Sequence, residues 1–165
     1  MKNKKTSILL VLITLLIVNS IGLSSATVYI LTYSAVDNGE IRYGGSTQYT
    51  TGQDYSFDTW NDLGEVNIAP DTIWTFEDLT YMDYDDEDDL RYGYYKVFLD
   101  ADRVAFNEFY CDPLSSTEMK FVATHELGHA LGLAHSCYPN IMKSSLGNYC
   151  TLGDDDIESY EYLYS

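Results

Sequence analysis

The chain has 165 residues and a formal net charge of −17, with 26 acidic residues against nine basic ones. We exclude nucleic acid as a partner, because so acidic a chain would repel phosphates instead of neutralising them. The length suits one domain with a sizeable apolar core, and the charge favours solubility and the binding of cations.

The first 26 residues have the features of a secretory leader. Three lysines lie among the first five residues, the uncharged run "SILLVLITLLIV" follows, and Ser24 and Ala26 occupy the small-residue positions of a signal-peptidase site. The alternative is an uncleaved membrane anchor, but two polar residues interrupt the run, and a span requires about 20 apolar residues. We therefore predict an exported protein, extracellular or at the cell surface, with one domain over residues 27–165. A membrane contact is expected only if the leader is retained as an anchor.

The first half of that domain is predicted to consist mainly of strands. "DNGE", residues 37–40, is a turn signal between "TVYILTY" and "EIRYGG", which predicts an early hairpin. "DYSFDTWNDLGEV" places Phe57, Trp60 and Leu63 at helical spacing, with Gly64 as the stop. "DTIWTFEDLTY" and "YGYYKVFLDADRVAF" are rich in aromatic and β-branched residues, and they predict strands.

The second half is predicted to contain two helices. Ser115 and Glu118 form a capping-box signature, and "MKFVATHELGHALGL" continues it with apolar periodicity. Three aspartates in "TLGDDDIESYEYLYS" suit the N-terminus of a closing helix. The apolar face of that helix consists of Ile157, Tyr160, Leu163 and Tyr164. A sheet followed by helices predicts the α+β class.

All three histidines of the chain lie in "HELGHALGLAH", residues 125–135. His125 and His129 are four residues apart, so a helix presents both imidazoles on one face. Gly132 lacks a Cβ and can end the helix in a left-handed turn, after which His135 can return to the same ion. Three protein ligands and an open fourth position describe a catalytic zinc site, whereas a structural zinc usually has four protein ligands.

Glu126 completes this pattern. Its side chain lies beside the first ligand but points aside, so that it can reach a metal-bound water instead of the metal. The five fixed positions together should arise by chance in only about one in 10⁵ chains of this size. The alternative, three ordinary histidines in a core or on a surface, does not explain their grouping with a glutamate and a glycine. We therefore interpret the motif as one zinc site with Glu126 as its general base.

The motif, followed by "SCYPNIM", resembles that of the metzincin zinc peptidases, in which the third histidine precedes a Met-containing turn. The resemblance makes Met142 the Met-turn residue, a hydrophobic base under the zinc that is not a ligand. Ser136 and the tail "DDIESYEYLY" are similar to the matrixin branch. This implies an α+β domain with a twisted mixed sheet, an active-site helix and a C-terminal helix. The specific resemblance extends from about Thr117 to Tyr164.

The resemblance implies a zinc-dependent endopeptidase that acts on protein or peptide substrates. With the leader it predicts a secreted enzyme, which we expect to be a monomer. The zinc would polarise the scissile carbonyl and lower the pKa of its bound water, whose proton Glu126 would pass to the leaving amine. An extended peptide would pair with an exposed sheet edge. The segment "KSSLGNYC" would shape the pocket for the side chain beyond the cut.

Two other functions remain as alternatives. One is a non-catalytic surface module that keeps the fold and the zinc only for binding, and the other is an unrelated zinc hydrolase. Glu126 argues against the module, since a purely structural site has no need of a base there. Two departures from the family also follow from the sequence. "FYCDP" around Cys111 does not match a cysteine-switch motif, and no further histidine is left for the second, structural zinc of animal matrixins.

The three cysteines leave several pairings open. Cys137 and Cys150 bracket the Met-turn, and we hypothesise a disulfide between them that would stabilise the fold by about 3 kcal/mol in the chain-entropy model. Either of them could instead pair with Cys111, or all three could be reduced, buried thiols.

The acidic run "DYDDEDD", residues 83–89, carries a second hypothesis. It lies between two predicted strands, roughly where matrixins hold structural ions, although its spacing is not that of an EF-hand. The carboxylates that could hold calcium are those of Asp83, Asp85, Asp86 and Asp88. Bound calcium would raise the melting temperature by mass action. The alternative is a solvated loop, which is what most charge runs form.

Overall fold

The structure is a computed structural model that describes residues 27–165, so the predicted leader lies outside the described residues. Its elements are β1 (Glu40–Gly45), α1 (Thr50–Asn61), β2 (Asn67–Pro70), β3 (Leu79–Tyr84), β4 (Gly93–Lys96), β5 (Asp102–Asn107), α2 (Glu108–Cys111), α3 (Ser116–Ala130) and α4 (Asp154–Tyr164). The predicted α+β class is confirmed. None of the helices in this range has the length and apolarity that crossing a bilayer requires.

The five strands form one mixed sheet in the order β2-β1-β3-β5-β4. Four strands run parallel, and β4 alone runs antiparallel to its neighbour β5. Within the described chain β4 has no partner strand on its other side, so it forms an edge of the sheet. This edge lies against α3, and the two elements together border the candidate site.

Helix α1 buries the residues that its spacing predicted. Phe57 is 7% exposed and Trp60 is fully buried. The indole Nε1 of Trp60 donates to the backbone oxygen of Thr124 at 3.0 Å, and Tyr160 of α4 stacks on the indole at 5.8 Å between ring centroids. Gly64 follows the helix at a φ of +89°, where glycine is favoured. Trp60 thus joins α1, α3 and α4 in a single core.

The predicted early hairpin is wrong, although its turn forms. Asp37 and Glu40 do exchange backbone hydrogen bonds across the turn, at 2.9 and 3.0 Å. The described residues before the turn form no strand, and β1 pairs in parallel with β2 and β3 instead. The backbone N–H groups of Leu31 and Ala35 donate to carbonyls at the end of α3. This N-terminal segment therefore packs along the chain that leads to the third histidine, a long-range pairing that no local pattern encodes.

The strand predicted from "DTIWTFEDLTY" forms only in its second part. Residues 71–78 are a loop, in which Ile73, Trp74 and Phe76 are 89, 87 and 93% exposed. The hydroxyl of Thr75 donates to the carboxylate of Asp71 at 2.5 Å within this loop. Aromatic and β-branched residues favour strands because they pack on neighbouring strands, and here the described chain offers no such neighbour.

Candidate metal centre

Helix α3 places the first two histidines and Glu126 on a well-defined backbone. The predicted capping box is confirmed at its start: the Ser115 hydroxyl accepts from the backbone N–H of Glu118, whose carboxylate accepts from the backbone N–H of Ser115 at 2.9 Å. The helix ends at Ala130, and Gly132 follows with a φ of +85°. As the sequence predicts, this left-handed glycine reverses the chain after the second histidine.

The three imidazoles converge through their Nε2 atoms. The Nε2 atom of His135 lies 3.2 Å from that of His125 and 3.1 Å from that of His129. The other ring nitrogens point away from this meeting point. The Nδ1 atom of His125 lies 2.8 Å from the carbonyl oxygen of Ile141, and that of His129 lies 2.8 Å from the carbonyl oxygen of Leu133. Backbone carbonyls thus orient two of the three rings.

This geometry fits a zinc ion. Nδ1 atoms that face carbonyl oxygens carry the ring protons, so we infer that the Nε2 atoms of His125 and His129 present lone pairs. A proton on the Nε2 atom of His135 could be donated to only one of these two lone pairs. One cation, by contrast, would bind all three nitrogens. Nitrogens bound at about 2.0 Å in a tetrahedron lie about 3.3 Å apart, close to the separations found here. Among the described residues this is the one convergent group of three potential metal ligands.

Burial keeps two of the ligands neutral. Desolvation, together with a smaller effect of the neighbouring imidazoles, lowers the pKa of His125 to about 3 and that of His129 to about 4. Their hydrogen bonds to backbone carbonyls oppose this shift only in part. At neutral pH neither ring carries a proton that a metal would have to displace.

Met142 lies under the site, as the resemblance implies. Its side chain is 1% exposed, and a Cβ built on Gly128 of α3 would collide with its sulfur. The same Cβ would approach the indole of Trp60 at 3.1 Å. A glycine between the two histidines therefore lets Met142 and the core pack directly beneath the metal-binding face of α3.

Asp156 fixes the Met-turn from below, a role that sequence reasoning missed. Its carboxylate is 1% exposed and accepts backbone N–H groups from Ile141 at 2.6 Å, Met142 at 3.1 Å and Gly153 at 2.9 Å. Burial raises the pKa of this carboxyl, and the three donors lower it. The sequence signal was the run of three aspartates, which we interpreted only as a helix N-terminus. Their partners lie some 15 residues upstream, so no local spacing distinguishes the buried one.

We expect Asp156→Ala to lower the free energy of unfolding by about 3 kcal/mol, because three buried N–H donors lose their acceptor. The control is Asp154→Ala, which changes an exposed carboxylate in the same first turn of α4. It should cost less than about 1 kcal/mol, the size of a helix-dipole interaction. Urea unfolding of the two variants and the parent measures both values. Equal losses for the two variants would show that the Asp156 contacts do not hold the Met-turn.

Glu126 is buried beside the ligands without a counter-charge in contact. Its side chain is 7% exposed, and a Cβ on Gly93 of β4 would lie 3.2 Å from its Cγ atom. Desolvation raises the pKa of Glu126 to about 8, and the charge of Arg91 and a backbone N–H of Tyr95 lower it less. A carboxyl with so high a pKa is a strong base once it is ionised.

The raised pKa predicts a pH dependence for the metal-free protein. An unfolded glutamate loses its proton near pH 4.5, whereas Glu126 in the folded state holds it to about pH 8. The folded state therefore binds more protons in this window, and its free energy of unfolding falls as the pH rises. The two shifted histidines contribute to the slope with the opposite sign up to about pH 7.5. The contribution of Glu126 itself should be close to 1.4 kcal/mol per pH unit between about pH 5.5 and 7. Glu126→Gln should remove that contribution when both proteins are unfolded in chelator, and an unchanged slope would contradict the buried, protonated carboxyl.

The histidines and Glu126 open into a cavity of about 550 Å³. One side is formed by residues 90–95, which include most of β4, and the other by Ser144, Ser145 and Leu146 after the Met-turn. Phe121 lies between them and stacks on the His125 ring at 5.9 Å between centroids. The three convergent histidines thus line a cleft that has the edge of β4 along one side.

The disulfide that we hypothesised is not formed in the structure. Cys137 and Cys150 are free thiols, the first exposed and the second half-buried. Cys111 is also free and is buried, with its thiol directed at the carbonyl of Tyr92 at 3.1 Å. The loop around the Met-turn is instead held by non-covalent contacts such as those of Asp156.

The acidic run does not bring its aspartates together. The calcium hypothesis named Asp83, Asp85, Asp86 and Asp88. Asp83 instead accepts from the Thr47 hydroxyl at 2.6 Å and from the backbone N–H of Gln48 at 2.7 Å. The side-chain amide of Asn107 donates to two carbonyls of the loop, at 2.8 and 2.9 Å. These contacts order the loop without a cation, so the described side chains do not support a calcium site.

A helix with two convergent histidines, a glycine turn to a third histidine and a methionine beneath them, on a mixed sheet, define the metzincin class of metallopeptidase domains. Comparisons with known proteins agree. A family model described as Matrixin matches residues 24–165. A solved structure described as "Structure of myroilysin" superposes with a TM-score of 0.54 at 16% identity, over 82% of this chain and 98% of that one. At this identity the second likeness concerns the fold alone.

The chain belongs to the matrixin family, and its family and site together support a metallopeptidase. The predicted family is confirmed.

Proposed function

We propose that the chain is a zinc-dependent endopeptidase that hydrolyses peptide bonds of protein substrates. The observation that carries the proposal is the convergence of three imidazole Nε2 atoms in an open cleft, with the buried carboxyl of Glu126 beside them. A structural site has no use for a buried base at its side. The matrixin family membership supports the same reaction class.

The histidines would hold the ion, and the protein would supply the proton transfer. Zinc bound there would act as a Lewis acid toward the scissile carbonyl and the attacking water. Glu126 lies at the edge of the cleft, where its carboxylate can take a proton from that water and deliver it to the leaving amine. Burial between α3 and β4 raises the basicity of its carboxylate and keeps bulk water from competing for the proton.

The free edge of β4 supports an extended substrate. β4 pairs with β5 along one side, and Gly93, Tyr94 and Tyr95 line the cleft from the other. A peptide can add to such an edge as a further strand, with its backbone N–H and C=O groups paired along β4. Pairing through the backbone would bring a peptide carbonyl past the metal with little dependence on sequence.

The test is cleavage of a denatured protein rich in lysine and arginine by the zinc-loaded chain, followed by mapping of the new termini. An endopeptidase produces internal cuts that disappear in chelator. The other candidate, a non-catalytic zinc-binding module, would bind the protein and release it intact. Intact substrate at enzyme concentrations that saturate binding would therefore reject the peptidase.

Export and a monomeric state are part of the proposal. The support for export is the leader-like sequence over residues 1–26, which ends in small residues at Ser24 and Ala26. If the leader is removed, N-terminal sequencing of the protein from the medium should begin at Thr27. A protein found only with the membrane fraction and starting before Ser24 would favour the anchor.

A further inference from the structure

Lys143 directly precedes Ser144, Ser145 and Leu146, which form one wall of the cleft. It directly follows Met142, and its side chain is half-buried. Its Nζ atom lies between 5.4 and 5.7 Å from the centroids of three aromatic rings, those of Phe121, Tyr138 and Tyr149. These distances are within the about 6 Å over which a ring face attracts a cation. The ammonium group is therefore held in one place by rings from α3 and from both sides of the Met-turn.

The same ammonium group also forms a hydrogen bond to this wall. Its Nζ atom donates to the backbone oxygen of Leu146 at 3.0 Å. The lysine thus closes a short loop from its own Cα to a carbonyl three residues later. The residues inside that loop are Ser144 and Ser145, which are exposed and line the cleft together with Leu146.

The chain that follows the wall packs on the ring of Phe121. A Cβ built on Gly147 would lie 2.6 Å from the Phe121 ring, so the backbone runs directly over that ring. The hydroxyl of Tyr149 donates to the carbonyl of Asn140 at 2.8 Å. These contacts fix the far end of the wall, whereas the described contacts of Lys143 fix its near end, between the Met-turn and Leu146.

We propose that Lys143 is a positioning residue that fixes the Ser144–Leu146 wall and so sets how tightly the cleft grips a substrate side chain. The proposal rests on the peptidase function above and adds to it a determinant of specificity. Lys143 does not contact the imidazoles or Glu126 through any described bond, so it acts on binding through the wall and leaves the proton transfer untouched. A looser wall would bind substrates less tightly and discriminate less between them.

The experiment compares Lys143→Met, Lys143→Arg and the control Lys120→Met with the parent, all loaded with zinc. Lys120 is a cation on α3 that lies 4.7 Å from the Tyr55 ring and does not line the cleft. Lys143→Met keeps a chain of similar length but removes both the charge and the donor. Lys143→Arg keeps a cation that can face the rings and donate to a carbonyl. Each protein is assayed on peptides that differ only in the residue after the cut.

Lys143→Met should raise KM by roughly three- to tenfold, the net effect expected for the loss of one ordinary, partly solvated hydrogen bond. It should also compress the differences between peptides, with kcat within about twofold of the parent and zinc content unchanged. Lys143→Arg should recover most of the KM, and Lys120→Met should not change it. The ¹⁵N order parameters of the backbone amides at residues 144–146 should fall in Lys143→Met only.

A Lys143→Met protein with parental KM, parental peptide preference and parental order parameters at residues 144–146 would overturn the proposal. So would an equal rise of KM in Lys120→Met, because that would reflect a general loss of charge. If the parent itself cleaves no peptide, the peptidase function has failed instead. The order parameters still decide then whether Lys143 fixes the wall, since they require no turnover.

Discussion

Glu126→Gln is expected to lower kcat for peptide hydrolysis by about 10² to 10⁴, the range that general acid–base catalysis contributes. Glutamine has nearly the shape of glutamate but cannot accept the water's proton. Because Glu126 points beside the ligands and is not one of them, the variant should keep one zinc per chain. Loss of turnover with retained metal would separate the base from the binding site.

The measurement is initial rate on one peptide together with zinc content of the same sample. Glu158→Gln provides the control, since it replaces an exposed carboxylate on α4 far along the chain from the motif. It should keep the parental rate. If Glu126→Gln cleaves as fast as Glu158→Gln, another group takes the proton, and the role assigned to Glu126 is wrong.

His129→Ala is expected to remove most of the stabilisation that zinc gives to the parent. A zinc concentration of 1,000 times Kd should add about 4 kcal/mol to the free energy of unfolding through mass action. Without its second ligand the site should bind zinc more weakly by well over 100-fold, more than the loss of an outer hydrogen-bonding partner causes. At 100-fold weaker binding the same zinc concentration would add only about 1.4 kcal/mol, so the rise in melting temperature with zinc should fall to about a third of the parental rise or less.

Met142→Leu serves as the comparison for that prediction. The side chain lies under the site and is fully packed, but the resemblance assigns it no bond to the metal. Leucine conserves volume, so the variant should cost less than about 1.5 kcal/mol and keep the rise in melting temperature with zinc. Loss of the zinc response in Met142→Leu as well as in His129→Ala would mean that the ligand set is not the three histidines alone.

The parts of the fold that the sequence predicts well are those with local causes. The capping box at Ser115 and the positive φ of Gly132 depend on a few neighbouring residues, and both occur in the structure as predicted. The spacing of His125 and His129 follows from helix geometry alone. The return of His135 needs only a turn at a fixed distance. For this reason the residues of the candidate site could be predicted from the sequence alone.

The parts that could not be predicted depend on partners far along the chain. The segment before Asp37 has the composition of a strand, but it pairs with residues beyond α3 instead of folding back as a hairpin. In the sequence Asp156 does not differ from its neighbours Asp154 and Asp155. Only the fold brings the N–H groups of the Met-turn to its carboxylate. The charge of the acidic run suggested a cation, whereas hydroxyl and amide donors from other elements satisfy Asp83 and the loop.

The central claim, that one zinc on three histidines makes this chain a peptidase, is tested most directly by a titration. The metal-free protein is mixed with increasing zinc, and hydrolysis of a quenched peptide is followed at each step. Activity should rise linearly and level off at about one zinc per chain, as a site with three protein ligands and an open position requires. Hydrolysis that persists in the metal-free protein, or that is absent at every zinc concentration while one zinc is bound, would contradict the account.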